Sequence, residues 1–378
     1  MKGVLDKIIS DTQKSFLKGR YIGECTRLIF DILKKTENDN IPGLLLLLDF
    51  DKAFDCLEWN FIQDTLKFFG FKQNVCDWVK TLYCGITSCT VNNGFLSHFF
   101  PLQRGVRQGD PLSPYLFILC LECLSAAIKL APKINGVKIN NSEYIISQFA
   151  DDTTMILDGE TKSIKETFKI LDLFKTSSGL GVNIDKTLGV WMGSKMFCAD
   201  NPTPELNLDF TRSTFKLLGI NFNLNDSDIT KCNYQNKIEN IKNLLNNWKL
   251  RNLTTIGTIT VVKSLALSML VHLFMVLPSP SKEWINELEN IFFRFIWDRG
   301  KDKVKRTVMY GAHEDGGLKL PHVLNCIKAL KLIWIKKLSD PLDFSDWKIL
   351  FLDSCENIYR GNLWVLQTNL NKFLHIEL

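Results

Sequence analysis

The chain has 378 residues, of which 46% are hydrophobic and 23% are charged. This composition is typical of a globular protein and excludes disorder over most of the chain, and the length allows two or three domains. The net charge of +5 is too small by itself to indicate nucleic-acid binding.

The positive charge is concentrated in one region. Residues 231–310 contain 13 Lys and Arg against 6 Asp and Glu, a local balance of +7, so the remainder of the chain carries −2. A basic part joined to an acidic part is typical of a protein that binds a polyanion and has a separate acidic centre. On charge alone, an ordinary solvated surface is an equal alternative.

The 11 cysteines and the absence of an apolar h-region at the start predict reduced thiols and an intracellular location, nuclear or cytoplasmic. Cys120 and Cys123 form a CxxC in an apolar helical stretch without a second pair, so no zinc site is predicted. The apolar run between Lys263 and Pro278 is shorter than the roughly 20 residues of a membrane span. It predicts a buried helix, and we expect no membrane association.

The first predicted strand lies in PGLLLLLDFDKAFD (42–55). Its continuous apolar run is typical of a central strand covered on both faces, with Asp49 at the C-terminal end. A helix is predicted within 58–71, ending at Gly70. Residues 104–130 predict a loop and then a helix, with Ser113 as the N-cap and Pro114 at the first helical position.

Residues 144–159, YIISQFADDTTMILDG, place apolar runs on both sides of two adjacent carboxylates. They predict a β-hairpin with Asp151 and Asp152 at its turn. Residues 166–187 predict a helix, a Gly-rich turn and a short strand carrying Lys186. Residues 215–222 predict a further short strand.

Beyond Asn223 the pattern becomes helical and basic. In residues 234–248 one helical face carries the apolar side chains of Ile238, Ile241, Leu244, Leu245 and Trp248. Helical patterns continue through 284–297, and Asn, Asp and Ser residues predict a domain boundary near 223–233. The fold class is therefore α+β, with a mixed region followed by a mainly helical one.

Asp49 and the pair Asp151–Asp152 each lie at a strand end or turn. Three carboxylates meeting at adjacent strands would hold two divalent metals, and Mg²⁺ prefers such hard oxygen ligands. Two such ions activate an attacking oxygen and stabilise a leaving oxygen in phosphoryl transfer. From these residues alone, a solvated turn for the pair and a helix N-cap for Asp49 remain the alternatives.

Five segments, LLLLLDFDKAFD, GVRQGDPLSPYLF, FADD, GLGVNIDKT and KLLGI, resemble in that order the sequence blocks of reverse transcriptases. They are most similar to the non-LTR retrotransposon enzymes of the long interspersed element type. The flanking segments ISDTQKSFLKGRY and HEDGGLKLP are also similar to that family, so the resemblance covers nearly the whole chain.

The resemblance implies a right-hand polymerase palm, with a small antiparallel sheet and packed helices, followed by a mainly helical thumb. The implied domains are a partial fingers segment (1–40), the palm (41–222), a basic helical thumb (223–310) and a truncated helical C-terminal extension (311–378).

The resemblance also implies roles for single residues. Asp49, Asp151 and Asp152 resemble the metal-binding aspartates, and the Phe50 carbonyl would be a further metal ligand. Lys186 resembles the lysine that protonates the leaving pyrophosphate, with a surface lysine as the alternative. Phe54 resembles the steric gate that excludes a 2′-hydroxyl, with a core phenylalanine as the alternative.

Further residues resemble the surfaces that contact nucleotide and nucleic acid. Those of the nucleotide- and template-binding loop are Arg107, Gln108 and Gly109; we expect Asp110 to hold this loop, and Asp51 and Asp55 to be structural. Those of the primer grip are Leu217, Leu218 and Gly219. Candidates for phosphate contacts in the thumb are Lys242, Lys249, Arg251, Lys263 and the run 299–306.

The implied function is an RNA-directed DNA polymerase that uses two Mg²⁺ ions, with Mn²⁺ as an alternative, an RNA template, a DNA primer and deoxynucleoside triphosphates. We expect the chain to be a fragment of a longer polyprotein, because the finger strands that precede ISDTQKSFLKGRY in the family do not fit before it. A catalytically inactive nucleic-acid-binding remnant is therefore the alternative function. An RNA-dependent RNA polymerase is disfavoured by Phe54.

Overall fold

The structure, a computed structural model, describes residues 2–196, 208–211, 214–223, 226–298, 300–341, 343 and 345–359. The chain forms two compact units: Met1–Arg212 with Ser345–Leu350, and Ser213–Phe344 with Phe351–Leu378. The first unit mixes helices and strands and the second is mainly helical, so the predicted α+β class is confirmed. The units divide before the predicted boundary at 223–233, and the four domain roles stay predictions.

The elements of the first unit follow one another in a mixed order. They are α1 (Lys2–Ile8), α2 (Ile22–Asn38), β1 (Gly43–Leu48), α3 (Ala53–Cys56), α4 (Trp59–Phe68), α5 (Gln73–Tyr83), β2 (Thr87–Ser88), β3 (Val91–Asn92), β4 (Phe95–Leu96), β5 (Phe100–Pro101), α6 (Ser113–Leu130), β6 (Val137–Ile139), β7 (Ser142–Tyr144), β8 (Ile146–Phe149), β9 (Asp152–Leu157), α7 (Thr161–Ser178), β10 (Leu188–Met192) and β11 (Asp209–Thr211).

A five-stranded sheet in the order β11-β10-β1-β9-β8 forms the centre of this unit. Neighbouring strands are antiparallel except for the edge pair β10 and β11. Leu44, Leu45 and Leu46 of β1 are fully buried, as the continuous apolar run predicts for a central strand. Leu48 pairs with Thr153, so the C-terminal end of β1 lies beside the N-terminal end of β9.

Helix α6 packs into the core of the same unit. It is long and apolar enough by composition to cross a membrane, and 61% of it is buried inside the chain, as in a core helix. Cys120 is a free thiol at its centre, and burial raises the pKa of Cys120, so this cysteine packs as a small apolar residue.

The prediction of Ser113 as the N-cap is wrong by one residue. Ser113 is the first helical residue, and Leu112 precedes it without a capping side chain. The cause is Asp110, whose Oδ1 accepts the Leu112 N–H at 2.8 Å and whose carbonyl accepts the Ser113 N–H at 3.2 Å. This turn begins the helix early and buries the Ser113 side chain completely.

Two predicted strands are also corrected. Lys186 lies in a 3-10 turn, Ile184–Lys186, and not in a strand, because the Asn183 side chain accepts the Lys186 N–H and competes with ladder pairing. Residues 215–222 form two strands and not one. Leu218 and Gly219 take positive φ values of 48° and 80°, which produces a tight two-residue turn.

The second unit begins with this hairpin and continues with helices. Its elements are β12 (Thr214–Leu217), β13 (Ile220–Asn223), α8 (Asp226–Lys249), α9 (Thr255–Val261), a π-helical turn (Val262–Ala266), α10 (Ser268–Val276), α11 (Lys282–Ile296), α12 (Arg306–Tyr310) and α13 (Val323–Leu338). The last described helix is α14 (Asp346–Tyr359).

The apolar faces of these helices agree with the sequence pattern. Ile238, Ile241 and Leu245 of α8 are buried, as the predicted face requires. Leu270 and Phe274 of α10 are fully buried, so the apolar run before Pro278 is a buried helix, as predicted.

Candidate active site

Asp49 directly follows the central strand, in a segment that another part of the chain holds in place. The Phe50 backbone forms an antiparallel bridge with Val182. Asn183 N–H donates to the Asp49 carbonyl at 2.7 Å, and Asn183 Nδ2 donates to Asp51 Oδ1 at 2.7 Å. Asp51 thus has the structural role that was expected, and two separate sequence blocks are joined at the end of β1.

The contacts of Asn183 with the segment after β1 bring Lys186 close to Asp49. Lys186 Nζ lies 3.5 Å from Asp49 Oδ2, and the two side chains are 66% and 46% exposed. Ion pairs exposed to this degree contribute little to stability. Lys186 can therefore leave Asp49 for a phosphate ligand at small energetic cost.

Asp151 and Asp152 lie in the hairpin formed by β8 and β9, as predicted. Ala150 and Asp151 form the turn between the paired residues Phe149 and Asp152. The register of β1 and β9 places Asp49 and Asp152 at adjacent positions at the ends of neighbouring strands. The fold thus brings Asp49 close to a carboxylate pair that lies about 100 residues later in the sequence.

The charges of these carboxylates oppose one another. Burial of its carboxyl, together with the negative charges of Asp151 and Asp49, raises the pKa of Asp152. A divalent cation would remove this cost, and carboxylate oxygens are suitable donors for a hard cation. Among the residues that the structure describes, no group of three or more His, Cys, Asp and Glu is already arranged to hold a metal ion. The residues fit such an ion in type and charge.

The loop before α6 is fixed to the segment after β1. Gly105 N–H donates to the Leu57 carbonyl at 2.8 Å, and Val106 N–H donates to the Phe54 carbonyl at 2.7 Å. Gly105 has φ +88°, and a Cβ there would lie 2.7 Å from the Asp55 carbonyl oxygen. Only glycine fits this approach.

The predicted nucleotide-binding side chains extend from this loop. Arg107 Nη2 donates to the Leu82 carbonyl at 3.0 Å, and Gln108 Nε2 donates to Asp55 Oδ1 at 3.4 Å. Asp55 therefore orients Gln108, a structural role as expected. Both Arg107 and Gln108 remain exposed, so they are accessible to a ligand.

Gly109 and Asp110 complete the loop. Gly109 has φ +89°, and a Cβ there would meet nothing within 4 Å. Glycine is needed here for the backbone conformation and not for close packing within the chain. The Asp110 carboxylate holds the loop through the Leu112 N–H, as expected from the sequence.

Phe54 lies in the short helix α3 and is half-buried. Its ring stacks on the Phe117 ring, with centroids 4.7 Å apart and planes at 19°. Phe117 is fully buried in α6, so it fixes the position of the Phe54 ring. This packing agrees with a core role and also with a gate role, which stays a prediction.

Residues 1–222 match the family model described as "Reverse transcriptase (RNA-dependent DNA polymerase)". This match covers more than half of the chain. The chain belongs to the reverse transcriptase family.

Several curated relatives of the chain are proteins of transposable elements. It is 25% identical over 324 residues to the transposon TX1 uncharacterized 149 kDa protein of Xenopus laevis, covering 84% of the chain and 24% of that protein. It is 34% identical over 224 residues to the Pol polyprotein of retrotransposable element R2DM of Drosophila melanogaster, covering 56% of the chain and 20% of that protein. The predicted assignment to non-LTR retrotransposons is confirmed, and the chain spans about a quarter or less of these relatives.

Among solved structures, the chain is similar to apo telomerase from Candida tropicalis. The TM-score is 0.42 at 14% sequence identity, covering 92% of this chain and 59% of that chain.

The residues predicted to form the primer grip belong to the second unit. Leu217 pairs with Ile220, and Leu218 and Gly219 form the turn between β12 and β13. The Leu218 carbonyl lies 3.1 Å from His272 Nε2 of α10. Their role in holding a primer stays a prediction.

Three residues make contacts at or near the predicted site residues but were not predicted from the sequence. Asn183 joins the Asp49 segment to the Lys186 turn, His272 contacts the tip of β12–β13, and Gln13 contacts the turn between β8 and β9. Asn183 lies inside the block GLGVNIDKT, which offered a signal. Gln13 likewise lies inside the segment ISDTQKSFLKGRY, which resembles the family. The single imidazole of His272 carries no spacing that could have indicated its role.

Proposed function

We propose that this chain carries the polymerising centre of an RNA-directed DNA polymerase. The observation that carries the proposal is the juxtaposition of Asp49, Asp152 and Lys186 beside the loop of Arg107 and Gln108, in a chain of the reverse transcriptase family. The proposed substrates are an RNA template, a DNA primer and deoxynucleoside triphosphates. An intracellular location follows, because these substrates are intracellular.

Asp49, Asp151 and Asp152 would hold two Mg²⁺ ions, or Mn²⁺ in their place, with the Phe50 carbonyl as a further ligand. Bound divalent ions supply activation of an attacking hydroxyl and stabilisation of charge on a leaving oxygen. The raised pKa of Asp152 supports this assignment, because its causes are partial burial of the carboxyl and the negative charges of Asp151 and Asp49, which a bound cation would offset.

The proposed reaction joins the primer to the nucleotide. The 3′-hydroxyl of the primer loses its proton to water, and its oxygen forms a bond to the α-phosphorus. The bond from that phosphorus to the bridging oxygen breaks to release pyrophosphate. Lys186 Nζ gives its proton to the departing pyrophosphate, which lowers the barrier by stabilising developing charge. Its partly exposed position, 3.5 Å from Asp49 Oδ2, supports this role.

The remaining residues orient the substrates. Arg107 and Gln108 contact the nucleotide and the template, and the Phe54 ring lies against the sugar, where a 2′-hydroxyl would collide with it. The turn of Leu218 and Gly219 positions the primer end. In the second unit, Lys242, Lys249, Arg251, Lys263 and the run 299–306 contact phosphates of the duplex; residue 299 lies outside the described residues.

The deciding experiment is primer extension on an RNA template with Asp152→Asn. We expect the extension rate to fall by roughly a thousandfold, because the variant removes one of three charges that bind the cations. Asp64→Asn is the matched control, since Asp64 is 76% exposed on α4, and it should keep the wild-type rate. Salt-sensitive duplex binding by a wild-type chain that incorporates no nucleotide would instead identify a catalytically inactive remnant, an alternative that the family match does not favour.

A further inference from the structure

The segment Ser10–Ser15 lies along the outer edge of strand β8. Lys14 N–H donates to the Gln148 carbonyl at 2.9 Å, and Gln148 N–H donates to the Thr12 carbonyl at 2.8 Å. Gln13 and Gln148 form a parallel bridge. The segment thus adds a short strand-like pairing to the sheet edge next to the catalytic hairpin.

The side chain of Gln13 contacts the turn of that hairpin with both of its polar atoms. Ala150 N–H donates to Gln13 Oε1 at 2.9 Å, and Gln13 Nε2 donates to the Ala150 carbonyl at 3.2 Å. Gln13 Oε1 also accepts from the Ser15 N–H at 3.1 Å and the Ser15 hydroxyl at 2.7 Å. These donors determine the amide orientation, because only the oxygen can accept them.

This pair of hydrogen bonds holds a residue in a costly conformation. Ala150 has φ +55°, in the left-handed region, which is sterically unfavourable for a residue with a Cβ. Gln13 is only 1% exposed, so its hydrogen bonds to Ala150 do not compete with water. The next two residues are Asp151 and Asp152, whose directions depend on the Ala150 backbone.

Arg20 holds the backbone around Gln13 through hydrogen bonds to carbonyl groups. Arg20 Nη1 donates to the carbonyls of Gln13 at 2.6 Å and Ser10 at 2.5 Å, and Arg20 Nη2 donates to the Ile9 carbonyl at 2.8 Å. These hydrogen bonds hold the backbone of the Gln13 segment in place. The segment can therefore restrain the turn at Ala150, which lies 137 residues later in the sequence.

We propose that Gln13 is a positioning residue for the polymerase reaction. Its side-chain amide holds Ala150 in the left-handed conformation, and that conformation directs Asp151 and Asp152 towards the metal-binding position beside Asp49. The proposal rests on the proposed function, because the contact between Gln13 and the hairpin can affect catalysis only if the hairpin carries catalytic residues.

The test uses the full chain with Gln13→Leu, which keeps the size of the side chain and removes its hydrogen bonds. We expect a tenfold to hundredfold fall in kcat, roughly as for other groups that orient metal ligands. The KM for primer–template should change less than about twofold, because Gln13 is buried and inaccessible to it. The Mg²⁺ concentration that gives half-maximal extension should rise.

Ala150→Gly in the Gln13→Leu background distinguishes positioning from general destabilisation. Glycine adopts a positive φ without steric cost, so the double variant should recover about tenfold in kcat. Thr36→Val is the matched control, because it removes a buried hydroxyl hydrogen bond within α2, and it should leave kcat and the Mg²⁺ dependence unchanged.

Hydrogen exchange gives a readout that needs no activity. The Ala150 amide should be protected in the wild type and in Thr36→Val, and should exchange at least about tenfold faster in Gln13→Leu. Unchanged Ala150 exchange, unchanged kcat and Mg²⁺ dependence, or a loss of kcat that Ala150→Gly does not restore would each overturn the proposal. A wild-type chain that extends no primer would overturn the proposed function, while the Ala150 exchange would still decide whether Gln13 holds the turn.

Discussion

Single residues at the candidate active site are held by partners from other sequence blocks. Asn183 holds the Asp49 carbonyl, and Asp55 orients the Gln108 amide. A side chain restrained in this way loses less conformational entropy when a substrate binds, since part of that entropy is already lost on folding. Substitutions of these partners should therefore affect catalysis as well as stability.

At the residue scale, Phe54→Val tests the steric gate. The smaller side chain should make room for a 2′-hydroxyl and lower the preference for deoxynucleotides over ribonucleotides by roughly 10- to 100-fold. The measurement is the ratio of kcat/KM for the two nucleotide types. Phe61→Val is the control, because Phe61 is also half-buried and packs on the ring of Phe174. An unchanged ratio in Phe54→Val would show that the Phe54 ring belongs only to the core.

At the scale of elements, the hairpin β12–β13 depends on α10 of the same unit. The tip is tight because Leu218 and Gly219 both take positive φ values, and His272 Nε2 contacts the Leu218 carbonyl. Burial and the nearby charge of Lys237 lower the pKa of His272, while the Leu218 contact opposes this shift. The neutral imidazole is therefore the form that the folded chain prefers.

This preference predicts a loss of stability in acid. Below about pH 6.5 the unfolded chain gains a proton at His272 that the folded chain does not yet bind, so unfolding becomes more favourable as the pH falls. We expect the Tm of the wild type to fall about 2 °C more between pH 8 and pH 5.5 than that of His272→Gln. The exposed His98 provides the control His98→Gln, which should behave as the wild type; equal losses in all three proteins would contradict the prediction.

At the scale of the whole molecule, the charge is divided between the two units. The first holds the acidic residues of the candidate active site, and the second holds all of residues 231–310 with their excess of positive charge. Some of this charge is already paired: Lys242 contacts Glu287 at 3.2 Å, and Lys249 contacts Asp298 at 3.4 Å. Lys263 is exposed in the π-helical turn.

Lys263→Gln tests the proposed phosphate contacts. Binding of a primer–template duplex should weaken to a similar degree for different sequences, and the slope of log K against log salt should decrease by about 1. Fluorescence anisotropy at several salt concentrations measures both quantities. Lys169→Gln changes the same charge on α7, where Lys169 is 66% exposed, and should leave the slope unaltered. An identical decrease in both variants would show a general charge effect.

Features that depend on local residue patterns could be predicted before the structure was known. The apolar run before Asp49 predicted a central strand, the apolar residues around Asp151 and Asp152 predicted a hairpin, and periodic residues predicted the buried face of α8. The order of five motifs identified the family, because ordered motifs carry far more information than any one of them.

The contacts between these segments are visible only in the folded chain. Local pattern placed the start of α6 one residue late and put Lys186 in a strand, because the side chains of Asp110 and Asn183 redirect the backbone there. The ion pair of Lys186 with Asp49 and the contact of Gln13 with Ala150 join residues more than 130 positions apart. Such contacts depend on strand register and on buried hydrogen bonds, which a linear pattern of residue types does not encode.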